Sequence, residues 1–555
     1  MIDFSKSYDQ KDFCVFLSKF LPDDCKFVYK KIQIESSFNY FVNAKLLATV
    51  DSLNSLQIIE IEHNVSEKNR ITISKDLFRF LSSFAYKNAL IITYSRQEEN
   101  YRFSFITSSL EWVTEKKVKR EFSNPKRLSF LLGAEAKIHT PTKQLIKLGK
   151  VKNFADLNER FNIEVVNNEF FDDYKNLYFY LKKYLDEDKV FSSFAKKIEL
   201  ETSLFAKKLL GQIVFCYFLQ KKGWLGVSLN KNFGSGDRSF LRNQFIHYKK
   251  NNKDFFNDFL EYFFYDGLNN ENENDYVEKI KSKVPYIGGG LFEYYEGYEW
   301  RKETLELPNK TFSNKEQSGI LDIFDLYNFT VDENEDLDVE ISIDPEMLGR
   351  VFENLLDENI KKEGGTFYTP RVIVNYMCEE SIINFLITKL QKIFNAEEIK
   401  NFVQNKNFDL SNENNFKSNA EVLDELLSNV KICDPAIGSG AFAVSIMNTI
   451  VKLRLSLKNF VKRKYKNSSY YFKRDFIQSN IHGVDKDESA VEITKLRLWL
   501  SLIVDETDYN KTEPLPNLDF KIIQGNSLLE TFEGINLGSR IFSGRKEPTL
   551  DDLSA

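Results

Sequence analysis

The chain of 555 residues is poor in the side chains that build metal cages: it has four histidines and five cysteines. Cys14, Cys25, Cys216, Cys378 and Cys433 are scattered without CxxC or CxxxC spacing, so neither a zinc module nor a disulfide framework is indicated. Long apolar runs are missing too. No stretch approaches the roughly 20 apolar residues of a membrane span, and MIDFSKSYDQKDF at the N-terminus has no basic segment ahead of an apolar one. The expectation is a protein of a reducing, bacterial-type cytoplasm with no membrane partner. An excess of positive charge is also lacking. A net charge of -6 argues against indiscriminate coating of nucleic acid, which rests on many unopposed phosphate contacts, while leaving room for a local basic cleft. What is present is ordinary globular material: 42% hydrophobic and 28% charged residues, with 50 Phe and 26 Tyr to fill cores.

The length exceeds what one hydrophobic core supports and predicts roughly three or four domains. Alternating runs between Lys26 and Phe105 (FVYKKIQIES, SLQIIEIEH, ALIITYS, YRFSFI) enclose one helical-looking segment, ISKDLFRFLSSFAY, and predict a small α/β domain on one sheet. From about Phe170 to Asn269 apolar residues recur at helical spacing, as in SLFAKKLLGQIVFCYFLQKKGW and NKDFFNDFLEYFFYDGL. NENENDY reads as a solvated loop, and an acidic run at 332–338 precedes Asp344 and Pro345, which suit a helix cap and first turn. The expected division is an α/β domain over 1–165, a helical connector over 166–360 and a third, α/β domain over 361–555.

Chemistry concentrates in the last of these. Val430–Asn448, VKICDPAIGSGAFAVSIMN, reads as a short strand, an acid at its tip, a glycine-rich turn and a helix, the opening of a nucleotide-type fold. Gly438 and Gly440 would let the backbone approach a ligand or adopt positive φ. A dinucleotide fold seats pyrophosphate on such a turn through GxGxxG, whereas here Asp434-Pro435-Ala436 stands at the first glycine position, and a carboxylate there repels phosphate. It suits a ligand with a positive charge or ammonium donors. Downstream, NIHGVDKDESAVEITKLRLWLSLI predicts a second strand ending in Asp485, a residue type that accepts from both hydroxyls of a ribose. The basic insert VKRKYKNSSYYFKR at 461–474 widens the interval between the two acids. A third strand, Phe520–Gln524, ends in Gly525-Asn526-Ser527, where the Asn526 amide can bond an adenine edge and Ser527 reads as a cap.

Four segments in order, GGTFYTPRVIVNYM at 364–377, DPAIGSGAF at 434–442, GVDKDESAVEITKLRLWL at 483–500 and IIQGNSLLE at 522–530, resemble adenine-specific, S-adenosylmethionine-dependent DNA methyltransferases of the gamma motif order. The wider frame, with LLGQIVFCYFLQKKGWLG at 209–226, VPYIGGGLFE at 284–293 and IDPEMLGRVFENLL at 343–356, resembles type IIG restriction–modification enzymes. The resemblance covers roughly Phe170 to Glu530. It implies an incomplete Rossmann-like methyltransferase domain in which Phe367, Tyr368, Thr369 and Pro370 line the S-adenosylmethionine pocket, Asp434, Ala436, Gly438 and Gly440 hold the methionine part, Asp485 the ribose and Asn526 the adenine. Double-stranded DNA would be the substrate, with methyl transfer to the exocyclic amine of adenine.

The sequence departs from the family in one respect. Such enzymes use an Asn-Pro-Pro-Tyr or Asn-Pro-Pro-Phe segment to accept from the target amine and stack on the flipped base, and none occurs here. No catalytic residue is therefore assigned. The expectation is the N-terminal portion of such an enzyme, inactive alone, completed by a downstream polypeptide and left with an open sheet edge at the third strand. A non-catalytic DNA- or partner-binding subunit with a vestigial cofactor fold is one alternative, and a bifunctional protein with an active N-terminal nuclease is another. In type IIG proteins the N-terminal domain often holds a Mg-dependent nuclease with an acid and Glu-x-Lys. The nearest candidates are Asp51, Glu60 and Glu62, with Glu62 where the lysine would stand.

Overall fold

The computed structural model describes residues 2–36, 38–65, 70–111, 121–287, 290–330, 338–345, 369–405, 413–463, 468–505, 516–529, 531–532 and 535–536. The chain is mixed α/β and divides into two compact units, Met1–Val351 with Trp499–Leu515, and Phe352–Leu498 with Pro516–Ala555. The predicted 1–165 region and the 166–360 region as far as Val351 fall in the first unit.

That unit is organised on a seven-stranded sheet. Its strands are β1 (Lys26–Ile32), β2 (Phe41–Val50), β3 (Leu56–His63), β4 (Asn88–Tyr94), β5 (Tyr101–Glu111), β6 (Glu121–Leu132) and β7 (Asp338–Glu340), in spatial order β1-β2-β3-β4-β5-β6-β7. Neighbours are antiparallel except β3 with β4 and β6 with β7. The parallel step from β3 to β4 is made by the predicted helix, α2 (Arg70–Ser83), because a parallel pair needs a crossover and a hairpin cannot supply one. Period-two alternation decides the two faces. Ala44, Leu46, Ile59, Ile61, Ala89, Ile91 and Ile106 pack under Leu77 and Phe80 of α2. On the other side Phe103 meets Phe13, Phe16 and Phe20 of α1 (Gln10–Phe20), and Phe161 wedges against Phe103, Phe105 and Phe130.

Strand β7 begins at Asp338, the last residue of the acidic run, and charge is what seats it. Its register sets Asp338 beside Arg127 and Glu340 beside Ser129. Arg127, with no exposed surface, donates to Ser104, Ser74 and Thr93 at 3.0, 2.9 and 3.2 Å and faces Asp338 at 4.0 Å. Arg102 donates to Glu340 at 2.8 Å. Both guanidiniums are thus compensated where water is excluded, the condition under which buried charge is tolerated.

The middle region is helical as its spacing predicts, with α3 (Ile163–Glu187) and α4 (Thr202–Lys222) as the longest elements. By length and composition α4 could cross a membrane, contrary to the expectation from the apolar runs, but most of it is buried inside the unit, as a core helix is. Phe255, Phe259 and Phe263 form a ladder of stacked rings 5.2 and 5.4 Å apart. Next to it Glu261, 1% exposed, accepts the Tyr298 hydroxyl, and burial pushes its carboxyl up to about 8 despite that bond.

The second unit carries a three-stranded parallel sheet of β8 (Ile432–Asp434), β9 (Ile481–Asp485) and β10 (Ile522–Gln524), in that spatial order. Helix α5 (Arg371–Leu390) precedes it, α6 (Ala441–Leu457) follows β8, and α7 (Glu488–Asp505), which belongs to this unit as far as Leu498, follows β9. The basic insert contributes the helix Ser468–Ser479, bound to α6 where Arg454 bonds Asp475 at 3.0 Å and lies over Phe472. Among the described residues β8 and β10 are the outer strands of this sheet. The central strand is β9.

Candidate functional site

Parallel strands in neighbouring register end on the same side, so their tips and the loops after them share one edge. Asp434 is level with Gly483, and Asp485 with Gln524, which sets Asp434, Asp485 and Asn526 on the carboxyl ends of three adjacent strands. Cross-links then fix the loops. The Ser527 hydroxyl donates to the Pro435 carbonyl at 2.7 Å, tying the third loop to the first; it is a bridge and not the cap its sequence suggests. Ile437 N–H donates to the Val484 carbonyl at 3.0 Å, and Gly525 N–H to the Asp485 carbonyl at 2.8 Å.

Each predicted site residue in the second sheet has a definite local role. Asp434 accepts from Ala436 N–H at 3.1 Å, closing the turn after β8. Asp485 accepts from Gly438 N–H at 2.8 Å and from Asp487 N–H at 2.9 Å, so one carboxylate spans the glycine turn and its own loop. Gly438 and Gly440 both take positive φ, +56° and +79°. Gly440 opens α6, and a Cβ on it would stand 2.9 Å from both Thr494 Oγ1 and Cγ2. Asn526 is exposed and accepts from Leu528 N–H at 3.1 Å. Phe367 and Tyr368 lie outside the described residues. Thr369 and Pro370 lead into α5, which is fastened to α6 through Ser445–Asn375 at 2.8 Å and Cys378–Phe442 at 3.7 Å; among the described residues no hydrogen bond joins Thr369 or Pro370 to the glycine turn.

The electrostatics of this edge point one way. Burial pushes the Asp434 carboxyl above its ordinary value, the Ala436 amide partly offsets that, and the charge of Asp485 adds to the rise. Two carboxylates on adjacent strand tips disfavour a phosphate and favour a ligand bearing positive charge.

Sequence reasoning missed three residues here. Gly483 lies under Ile437, whose Cδ1 would be 2.2 Å from a Cβ at that position, so strand and turn touch because β9 has no side chain there. Thr494 donates to the Gly438 carbonyl at 2.8 Å, and Arg497 to the Ser439 carbonyl at 2.7 Å. Their one signal in the sequence is a polar residue recurring within the otherwise apolar ITKLRLWLSLI.

The nuclease candidates do not converge. In the β2–β3 hairpin Lys45 stands opposite Glu60 and Val50 opposite Leu56, so Asp51 lies in the turn beyond, about 15 Å or more along the strands from Glu60. Asp51 is exposed and pairs with Lys26 at 3.0 Å. Glu60 accepts the Tyr8 hydroxyl at 2.5 Å and pairs with Lys45 at 3.4 Å, while Glu62 pairs with Arg96 at 2.7 Å. These acids are spent on internal partners, and among the described residues no group of His, Cys, Asp or Glu is placed to hold a metal. Asp51, Glu60 and Glu62 are thus not arranged as a Mg site.

No family model matches the chain. Among curated proteins it is 28% identical over 420 residues to a Methanocaldococcus jannaschii protein provisionally named a type II restriction enzyme and methyltransferase, covering 68% of this chain and 33% of that one. It is 28% identical over 276 residues to the Escherichia coli type II restriction enzyme and methyltransferase RM.Eco57I, covering 46% of this chain and 23% of that one. The chain therefore spans about a third or less of the length of these relatives. Among solved structures it is similar to the type IIL restriction-modification enzyme MmeI in complex with DNA, with a TM-score of 0.41 and 15% identity over 66% of this chain and 41% of that one. It is also similar to the DrdV–DNA complex, with a TM-score of 0.30 and 13% identity over 89% of this chain and 35% of that one. The chain is similar in sequence to proteins named as type II restriction enzymes and methyltransferases.

Proposed function

We propose that the second unit binds S-adenosylmethionine and that the chain works as part of a restriction–modification DNA methyltransferase acting on the exocyclic amine of adenine in double-stranded DNA. The observation that carries this is the meeting of Asp434, Asp485 and Asn526 at the carboxyl edge of β8, β9 and β10, around a turn with two glycines at positive φ. The donor set fits the cofactor. Asp434 and the turn from Ala436 to Gly440 would hold the methionine part, where an ammonium or sulfonium relieves the repulsion between the two acids. Asp485 keeps lone pairs for the ribose hydroxyls beyond those its two amides use, and Asn526 offers an amide to the adenine.

The bound cofactor supplies an activated methyl group. The chain's own part is to orient it, since methyl transfer depends on in-line placement of the acceptor nitrogen. The tetrapeptide that would grip the target adenine is not in this sequence, so transfer is proposed for the chain acting with a polypeptide that brings it. A bacterial cytoplasm, where the DNA is, is the proposed location.

Calorimetric titration of the chain with S-adenosylmethionine tests the reading. Saturable one-site binding is expected, weakened at least tenfold in Asp485→Ala and unmatched by a nicotinamide dinucleotide. Equal binding of the dinucleotide, or no binding of S-adenosylmethionine, overturns it. Adenine specificity is read separately, by co-expressing the chain with its completing polypeptide and digesting plasmid DNA with endonucleases sensitive to adenine methylation, Asp434→Ala serving as control.

A further inference from the structure

The glycine turn is held from beneath by one helix. Thr494, with no exposed surface, donates to the Gly438 carbonyl, and Arg497, 3% exposed, donates to the Ser439 carbonyl and also lies 3.4 Å from the Ser439 hydroxyl. The two donors are three residues apart on α7, so they share one face of it. Arg497 is unusual among the buried cations. Arg127, Arg102 and Arg454 each face a carboxylate, whereas among the described residues no carboxylate pairs with Arg497, and its Nε is buried without a hydrogen-bond partner. A buried guanidinium without a counter-charge is unfavourable, and apolar neighbours such as Leu496 and Leu498 would fill such a place at lower cost. The turn carbonyl is what it serves.

Peptide planarity converts this grip into an orientation. In a trans peptide the carbonyl and the following N–H point in opposite directions, so drawing the Gly438 carbonyl toward α7 turns the Ser439 N–H to the far side of the turn. The Gly438 N–H is fixed independently by Asp485, so this peptide stretch is held from two elements at once.

Resting on the reading of this edge as a cofactor site, we propose that Thr494 and Arg497 are positioning residues: by bonding the Gly438 and Ser439 carbonyls, they hold the turn with its Ser439 amide aimed outward and set the affinity for the methionine end of S-adenosylmethionine without touching it.

The test is titration of the full chain with S-adenosylmethionine, together with thermal unfolding without ligand, for wild type, Thr494→Val, Thr494→Ser and Arg497→Lys. Valine keeps the shape and removes one hydrogen bond, and a loss of about tenfold in affinity is expected. Serine keeps the hydroxyl and is expected to restore binding to within about threefold of wild type. Arg497→Lys is expected to weaken binding, because an ammonium lacks the guanidinium's planar fork of donors. Wild-type affinity in Thr494→Val overturns the positioning role while leaving the cofactor reading standing. If Thr494→Val fails to fold, Thr494→Ser and Arg497→Lys decide: a serine variant as weak as the loss expected of valine, or Arg497→Lys binding like wild type, overturns it as well. A wild-type chain that does not bind fails the cofactor reading itself, and this inference with it.

Discussion

Glu261→Gln isolates one buried carboxyl and should change how the N-terminal unit responds to pH. Glu261 is 1% exposed, and burial, with Asp254 adding and the Tyr298 hydrogen bond and Lys279 opposing, pushes it from an ordinary 4.5 up to about 8. A raised carboxyl favours the folded state only while protonated. Its contribution is complete below pH 4.5, where folded and unfolded chains both keep the proton, and it is lost as pH rises toward 8, because the unfolded chain ionises first. Over the range where only the unfolded chain has lost this proton, each pH unit is worth about 1.4 kcal/mol, so between pH 5 and pH 8 this group alone should remove roughly 4 kcal/mol from wild type. Glutamine keeps an acceptor for the Tyr298 hydroxyl and does not ionise. Thermal unfolding of both proteins from pH 5 to pH 8 provides the comparison, since every other titrating group contributes almost equally to the two curves. Wild type should match or exceed the variant at pH 5 and fall below it at pH 8. Parallel curves across the range would refute the reasoning.

Other outcomes rest on specific contacts. Gly483→Ala should force Ile437 off β9, costing about 1–3 kcal/mol as overpacking does, and weaken S-adenosylmethionine binding in the same titrations. Gly440→Ala meets Thr494 at 2.9 Å from a backbone at φ +79°, so binding should fall with little change in the unfolding of the N-terminal unit, which two-transition calorimetry would separate. Glu340→Ala removes the acid from the buried Arg102 and should destabilise the sheet by about 3–5 kcal/mol in denaturant unfolding, with Glu340→Gln milder. Adding Mg²⁺ should leave the melting of the N-terminal unit unchanged, since Glu60 and Glu62 are already bonded to Tyr8, Lys45 and Arg96.

What could be read in advance was local. Strand tips at Asp434 and Asp485 follow from short apolar runs ending in an acid, and α2 and α4 follow from apolar spacing, because these patterns are written in adjacent residues. Partner choice is not written there. Nothing in the acidic residues before Ile341 names their counter-charges, Arg127 and Arg102, about two hundred residues earlier. Asp51 looks close to Glu60 in sequence, yet the hairpin register carries it to the far end of the strands. Arg497 is hidden for a related reason: nothing in KLRLWL says that its inward neighbour is a backbone carbonyl.

The order in which a ribosome delivers these strands has its own consequence. β6 emerges about two hundred residues before β7, an interval of roughly 10–40 s at ordinary rates of synthesis. During that time the outer edge of β6 offers unpaired backbone groups, and Arg127 has yet to meet Asp338. Nascent chains stalled between Leu132 and Asp338 are the ones from which strand-to-strand association between neighbouring polypeptides is expected, and release of the acidic segment ends that window.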